Sequence, residues 1–441
     1  MIALLKILKF EKITLPKFFL SLFIFILLYA FFFRWILINH LPSIHAGLGL
    51  LKGDNAFFHE LALQISREIA EKGWSAWRIF SANTAATSNV ALAAVVYYFG
   101  GANPALLIPI NAIIQTLSAF ILYKIVLSLA ANRTAALWSA LFFSVMPTTL
   151  VWISQLHKDG YAIFAWFLAF YMAIEHGKIK IMPKILLNLL AMIILYVTRP
   201  LYLNLLFIIL ALDCFYVILF NRNFNGKKLL LTNLLVCASF IFSFYYFKPV
   251  RNAYAASFDA TQRGLIATQN GFEKAPPYHW QGNKSGIDLL FLQASSMRIF
   301  QMFFSGPAAN SVVDMEVRLE SKAEFFQYFP RALSIALLYP HPLMLIKIGN
   351  AQSYGLLLEI LVYLILLASF LIYLVRFPIN HQLNRIFLIA LVGSTFLAYI
   401  NPVIGSLQRV RYPFFALIMA LGVISLFAHW QKINNCLSSK T

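Results

Sequence analysis

Long apolar runs alternate with short polar connections along most of the chain. The runs fall at about 17–39, 104–130, 134–152, 160–175, 183–197, 201–220, 229–247, 354–375, 386–400 and 413–429, each near the roughly 20 residues that carry a helix across a bilayer. The pattern predicts an all-α polytopic membrane protein, a bundle of about ten transmembrane helices with interfacial helices and a long outer loop. Two stretches break the rhythm. After the first run, Phe58, Leu61, Ala62, Ile65 and Ile69 recur at helical spacing, with His59, Gln64, Arg67, Glu68, Glu71 and Lys72 on the other face. That amphipathic period predicts a helix lying on the membrane surface, beginning at Asp54. The piece Val90–Phe99 is too short to cross and reads as interfacial. Between 248 and about 324 the chain is polar for too long to be a turn, so a partly folded loop is expected. It leads to a second interfacial element, Tyr328–Lys347. The organisation is then a cytoplasmic N-terminus (1–16), an N-terminal transmembrane region (17–247) with its first outer loop at 40–103, a long extracytoplasmic loop (248–350), a C-terminal transmembrane region (351–430) and a tail (431–441).

Composition agrees with the pattern. Of 441 residues, 61% are hydrophobic and only 12% charged, and the mean hydropathy is +0.76, which excludes an ordinary soluble domain. A net charge of +19 would suggest nucleic acid in a soluble protein. Here it sorts by side of the membrane. The segments 1–17, 131–133, 176–184, 221–228, 376–385 and 430–441 hold 15 Lys or Arg against one acid, Glu11, so the positive-inside rule places them and both termini in the cytoplasm. Nucleic acid is not an expected partner; the lipid bilayer is. Cys214, Cys237 and Cys436 have neither ligand-like nor framework spacing, and no disulfide or zinc site is read from them.

The chemistry gathers in the short outer connections. Asp54 stands at a helix start, where an acid is also a favoured cap. His59 and Glu60 follow one turn on. The turn Ser154–Gly160 carries His157, Lys158 and Asp159, and Arg199, Arg409 and Arg411 sit in other brief outer connections that topology alone would keep neutral. A shared anion at the outer face accounts for these cations, since guanidinium groups match phosphate. Single arginines at span ends also snorkel to lipid headgroups. Glu359 and Asp213, acids near span ends, read as lying within snorkelling reach of water. Tyr278, His279 and Trp280 suit either sugar stacking or interfacial anchoring.

Four stretches together resemble the integral-membrane glycosyltransferases of the GT-C fold, closest to the bacterial branch similar to protein O-mannosyltransferases and to the enzymes that add sugars to lipopolysaccharide. They are Gly53–His59; Asn132–Ala136 running on to Pro147 and His157-Lys158-Asp159; Tyr328–Arg331 with Tyr339–Pro342; and Arg409–Pro413. The resemblance implies a GT-C-like bundle in a bacterial inner membrane. It implies an enzyme that takes a sugar from a polyprenyl phosphate and places it on a glycan, lipid or protein acceptor at the periplasmic face. The first-loop acid, Asp54, is then the general base, and Asp159 matches the second acid on the next outer turn. Relatives often carry an acidic pair where this chain has Asp54-Asn55. His59, Glu60, His157, Lys158, Arg199, Arg409, Arg411 and Tyr412 become substrate-binding candidates. No cofactor is certain. The family contains metal-using and metal-free members; a divalent ion, where used, would fall to Asp54 and Asp159, although no usual ligand spacing is present.

Two rivals follow. A polysaccharide polymerase or ligase would share the polyprenyl carrier but use a diphosphate-linked glycan. A secondary transporter would show internal repeats and helices broken near mid-membrane, and neither is visible in the sequence.

Overall fold

The computed structural model describes residues 13–42, 44–52, 54–79, 88–175, 181–199, 202–220, 265–268, 271–274, 280–282, 287–305, 312–348, 351–378 and 380–438. The run expected at 229–247, and Tyr278 and His279, lie outside the described residues. Among the described residues the fold is helical, with one short antiparallel hairpin in which β1 (Leu265–Thr268) pairs with β2 (Gly271–Lys274).

Local chemistry sets the helix ends. In α1 (Leu15–His40) Pro16 occupies the first turn, where its missing N–H costs nothing. After α2 (Asp54–Lys72) and α3 (Ser88–Gly100), Asn103 caps the short turn Pro104–Leu107, accepting from the Ala105 N–H at 3.0 Å, and α4 (Ile108–Ala130) follows. That helix ends on Ala131 in the left-handed region (φ 51°). Asn132 next accepts from the Ala135 N–H at 2.9 Å and starts α5 (Arg133–Val145). α5 stops at Met146, because Pro147 offers no N–H to continue the ladder, and α6 (Pro147–Ile153) leaves at a 60° bend. The single run expected at 134–152 is therefore a broken one, which corrects the expectation that no broken helix exists.

The remaining helices are α7 (Asp159–Ile174), α8 (Ile181–Thr198), α9 (Tyr202–Phe220), α10 (Ile287–Ser305), α11 (Lys322–Leu338), α12 (Pro342–Ile348), α13 (Ala351–Arg376), α14 (His381–Ile400), α15 (Ile404–Val410) and α16 (Tyr412–Ser438). Among the described residues five helical segments, 15–40, 104–130, 353–376, 381–400 and 412–430, are long and apolar enough to cross a bilayer, or six with the bent α5–α6 pair as one span. The chain is an α-helical polytopic membrane protein. α7, α8 and α9 are apolar but shorter in the described stretches.

The core centres on α16, which packs against α13, α14 and α5. Tyr412, Phe414 and Phe415 are buried there, and Gly422 lets α13 close on it: a Cβ at that position would meet the Leu366 carbonyl oxygen at 2.3 Å. Tyr363 stacks on Phe415 with ring centroids 3.9 Å apart.

Three sequence expectations change in the fold. The apolar stripe of α2 (Phe58, Ala62, Ile65, Ile69) packs onto Val90, Ala93, Ala94 and Tyr97 of α3, so protein and not lipid covers it; a surface helix and a helical hairpin have the same period. The stretch expected to be a loop holds α10, which packs on α14. Buried Arg298 of α10 donates to the carbonyls of Val317 (3.0 Å), Asp314 (3.1 Å) and Tyr399 (3.3 Å). It thereby pins residues 313–317 to the end of α14. α11 starts earlier than expected, at a capping box in which Ser321 accepts from the Glu324 N–H and the Glu324 carboxylate accepts from the Glu320 N–H.

Glu359 and Asp213 do not snorkel. Asp213 is paired with Arg385 at 2.6 Å, and Arg385 also donates to the Ala173 carbonyl. Glu359 is fully buried in α13 and accepts from the Thr148 N–H at 2.9 Å. Both acids face neighbouring helices, so the distance to a span end that suggested reach to water does not apply.

Candidate functional site

Four segments distant in sequence meet at one end of the bundle. Asp54 opens α2. Its Oδ2 accepts from Arg409 Nη1 (3.1 Å) and Nη2 (3.2 Å), across 355 positions of chain. Arg409 Nη1 also lies 3.4 Å from His157 Nδ1. His157 Nδ1 in turn is 3.7 Å from Asp159 Oδ2. Asp159 Oδ1 accepts from Arg199 Nε at 3.0 Å and from Arg199 Nη2. The result is one continuous array, Asp54, Arg409, His157, Asp159, Arg199, with Lys158 beside it over the Phe58 ring. The array grades from open to closed: the Asp54 side chain is 56% exposed and that of Asp159 only 2%. Asp54 can meet a ligand directly; Asp159 acts through its neighbours.

The residues that build this array are mostly ones the sequence reading passed over. Gln155 accepts from the Leu51 N–H at 2.8 Å and donates to the Gly49 carbonyl, which ties the segment before Asp54 to the His157 turn. Asn89 donates to the Leu156 carbonyl and Asn111 to the carbonyls of Ile153 and Gln155, while the Tyr161 hydroxyl donates to Asn111. Tyr202 donates to the Val410 carbonyl at 2.9 Å, so the start of α9 holds the Arg409 turn beside Arg199. Asn111, an amide within an apolar run, was the available signal, since a polar group there requires a partner; Asn89 and Gln155 stand just outside such runs. Behind His157 lies a small cavity lined by Asn111, Gln115, Thr149, Trp152 and Tyr161.

Charge and burial set the protonation states. Burial lowers the His157 imidazole to about 4, with Arg409 pressing the same way against Asp159 and Asp54. It is neutral at pH 7, and since Arg409 can only donate, Nδ1 is the acceptor and the proton sits on Nε2. Burial also lowers Lys158, to about 7, helped by Arg199 and opposed by Asp159 and Asp54. Burial alone would raise Asp159, but the Arg199 and Arg409 charges overcome it and hold the carboxyl well below the usual range. A neutral His157 leaves two carboxylates, two guanidinium groups and a lysine poised near neutrality. That balance favours an anion over a dication, which would have to displace an arginine from each acid. Among the described residues no group of three or more His, Cys, Asp or Glu side chains is arranged for a metal. The residues present do not fit a divalent ion.

Five of the sequence-derived candidates lie elsewhere. Arg411 is buried, donating to Gln408 Oε1 and to the carbonyls of Ile335, Ala336 and Tyr339; it caps the end of α11. Tyr412 is fully buried against Trp152, ring centroids 5.2 Å apart. Two residues after Arg409, the turn into α16 carries the chain into the core. His59 shares a hydrogen bond of 2.8 Å with the Tyr97 hydroxyl, and burial lowers it, with Glu60 opposing and Arg34 assisting. Glu60 is exposed. Trp280 packs its ring against Phe325.

Comparison with known protein families, with characterised proteins and with solved structures finds no match.

Proposed function

We propose that the chain is a membrane glycosyltransferase that moves a sugar from a polyprenyl phosphate to an acceptor hydroxyl at the extracytoplasmic face, with inversion at the anomeric carbon. The ten-span GT-C-like architecture and a bacterial inner membrane belong to the same proposal. The observation that carries it is the Asp54–Arg409–His157–Asp159–Arg199 array, a half-exposed carboxylate beside a cationic, phosphate-matched surface at a helix end. In this reading Asp54 takes the proton of the acceptor hydroxyl as its oxygen bonds to the anomeric carbon. The bond from that carbon to the phosphate oxygen breaks, and the electron pair stays on the polyprenyl phosphate. A base of this kind contributes roughly 10²–10⁴-fold, and cations at the departing phosphate are often the larger factor. Arg409 and Lys158 fill that role. Asp159 and His157 position Arg199 and Arg409. Because Arg409 donates to Asp54, a donor phosphate that draws Arg409 away also frees the base.

The test is transfer of labelled sugar from a panel of polyprenyl-phosphate sugars in membranes holding wild-type protein or Asp54→Asn. The expected outcome is a loss of at least ~10²-fold in the variant at equal expression. Equal transfer would remove Asp54 as the base, and retained configuration in the product would remove single-step inversion. Transfer only from diphosphate-linked glycans would replace this reading with the polymerase or ligase. The α5–α6 break facing buried Glu359 favours a second reading, a secondary transporter; solute uptake into liposomes containing the purified protein, with no sugar transfer, would establish it.

A further inference from the structure

A second polar cluster lies one turn along α2 from the Asp54 array. Arg34 is on the buried stripe of α1, with Phe18, Leu22, Ile26, Ala30 and Leu37, and is itself only 6% exposed. Trp35 and Ile38, on the other face, are exposed. The guanidinium turns inward. Nη2 donates to Asn103 Oδ1 at 3.3 Å, and Nη1 is buried with no hydrogen-bond partner among the described residues. No carboxylate pairs with Arg34 among the described residues. Its surroundings are shaped to let it in: Gly49 adopts φ +70°, and a Cβ there would meet Arg34 Cγ at 2.7 Å. The neighbours are polar and uncharged. Tyr97 lies close enough to interact with it electrostatically, and the Tyr97 hydroxyl is engaged by His59 Nδ1.

A guanidinium does not shed its proton when buried, and a buried charge without a counter-ion costs several kcal/mol. The missing component is therefore an anion. Arg34 lies six residues before the end of α1, about 9 Å along the axis at 1.5 Å per residue. For a 26-residue helix centred on a hydrocarbon core of about 30 Å, that is a few Å inside the core, within a side chain's length of the headgroups.

We propose that Arg34, Asn103, Tyr97 and His59 form a second anion site, separate from the Asp54 array, that binds a phosphate group of a lipid headgroup against α1. The Nη1 edge donates to the phosphate, and Tyr97 or His59 completes its hydrogen bonding. The site does not depend on the transferase reading and would exist equally in a transporter.

The test uses purified full-length protein in phosphate-free detergent. Binding of short-chain phosphatidic acid is measured by native mass spectrometry, with the matching diacylglycerol as control and inorganic phosphate as competitor, in wild type, Arg34→Gln and Arg34→Lys. Wild type is expected to bind phosphatidic acid at least about tenfold more tightly than Arg34→Gln, the equivalent of about 1.4 kcal/mol. Arg34→Lys, which keeps the charge and loses the fork, is expected to fall between them, and diacylglycerol not to bind. Competition by inorganic phosphate at similar concentration would assign the site to free phosphate, and no competition would assign it to the lipid. Equal phosphatidic acid binding by wild type and either variant would overturn the site. Should Arg34→Gln not fold, Arg34→Lys alone decides: undiminished binding overturns it.

Discussion

At the scale of single residues, proximity separates two arginines that look equivalent in sequence. Arg409 and Arg411 are two positions apart, yet one meets Asp54 and the other is spent on backbone carbonyls. Arg411→Met should cost about 3 kcal/mol or more, because it orphans buried carbonyls and the Gln408 side chain. The change should appear as a lowered thermal unfolding midpoint in detergent, and any folded fraction should keep the wild-type KM for donor. A donor-site role would reverse that pattern. Lys158 makes a pH prediction of definite sign. Its pKa is pushed down to about 7 by burial and Arg199, so the ammonium is present below pH 7 and lost above it. KM for an anionic donor should therefore rise as pH goes from 6 to 8, and Lys158→Arg, which stays charged, should flatten that rise. An unchanged slope in Lys158→Arg would assign it to another group. Asp159 cannot produce it, since its carboxyl stays ionised throughout.

At the scale of elements, the α5–α6 break is the feature with most consequence. Pro147 ends α5, and the Thr148 N–H freed by the break donates to Glu359 of α13, a partner that stands 211 positions away. Glu359→Leu should destabilise by about 1–3 kcal/mol through that unsatisfied N–H, while Glu359→Gln, which keeps an acceptor oxygen, should stay within a few tenths. Thermal midpoints of the two variants decide whether the acceptor or the charge matters; equal damage would make it the charge. The hairpin of α2 and α3 teaches a related point. The helical period named Phe58, Ala62, Ile65 and Ile69 of the buried face of α2, while Leu61 is only partly buried and Asn55 and Ser66 join that face; what covers it was decided by α3, itself a short apolar piece with no strong period of its own.

At the scale of the whole molecule, the two ends of the bundle hold separate polar assemblies. α7 begins at Asp159, in the candidate site, and ends beside Glu175, which accepts from Ser128. Arg385 pairs with Asp213, and Lys184, near the start of α8, is also buried. Arg385 and Lys184 entered the positive-inside reckoning as cytoplasmic charges, and their burial makes them structural; the asymmetry of Lys and Arg over acids survives without them. Orientation is then testable directly. In a chain cleared of its own cysteines, Glu60→Cys should react with a membrane-impermeant maleimide in intact cells, and Lys440→Cys only after lysis. The reverse labelling would invert the topology and place the candidate site on the cytoplasmic side.

What the sequence determined by itself is whatever depends on local composition and period: membrane residence, most of the apolar helices among the described residues, most of the buried stripe of α2, the turn at 154–160, and the acids and bases available to a site. Hydropathy and capping act over a few residues, so they can be read there. Asp54, Asp159, His157, Lys158, Arg199 and Arg409 were legible as candidates because charge in a short connection between apolar runs needs a reason. Tertiary structure alone decided which of them meet. It joined Asp54 to Arg409, turned Arg411 and Tyr412 into the core, brought Glu359 to the broken helix and left Arg34 facing Asn103. Those outcomes depend on how helices far apart in the chain pack together, and a buried charge reveals its partner only once that packing is in place.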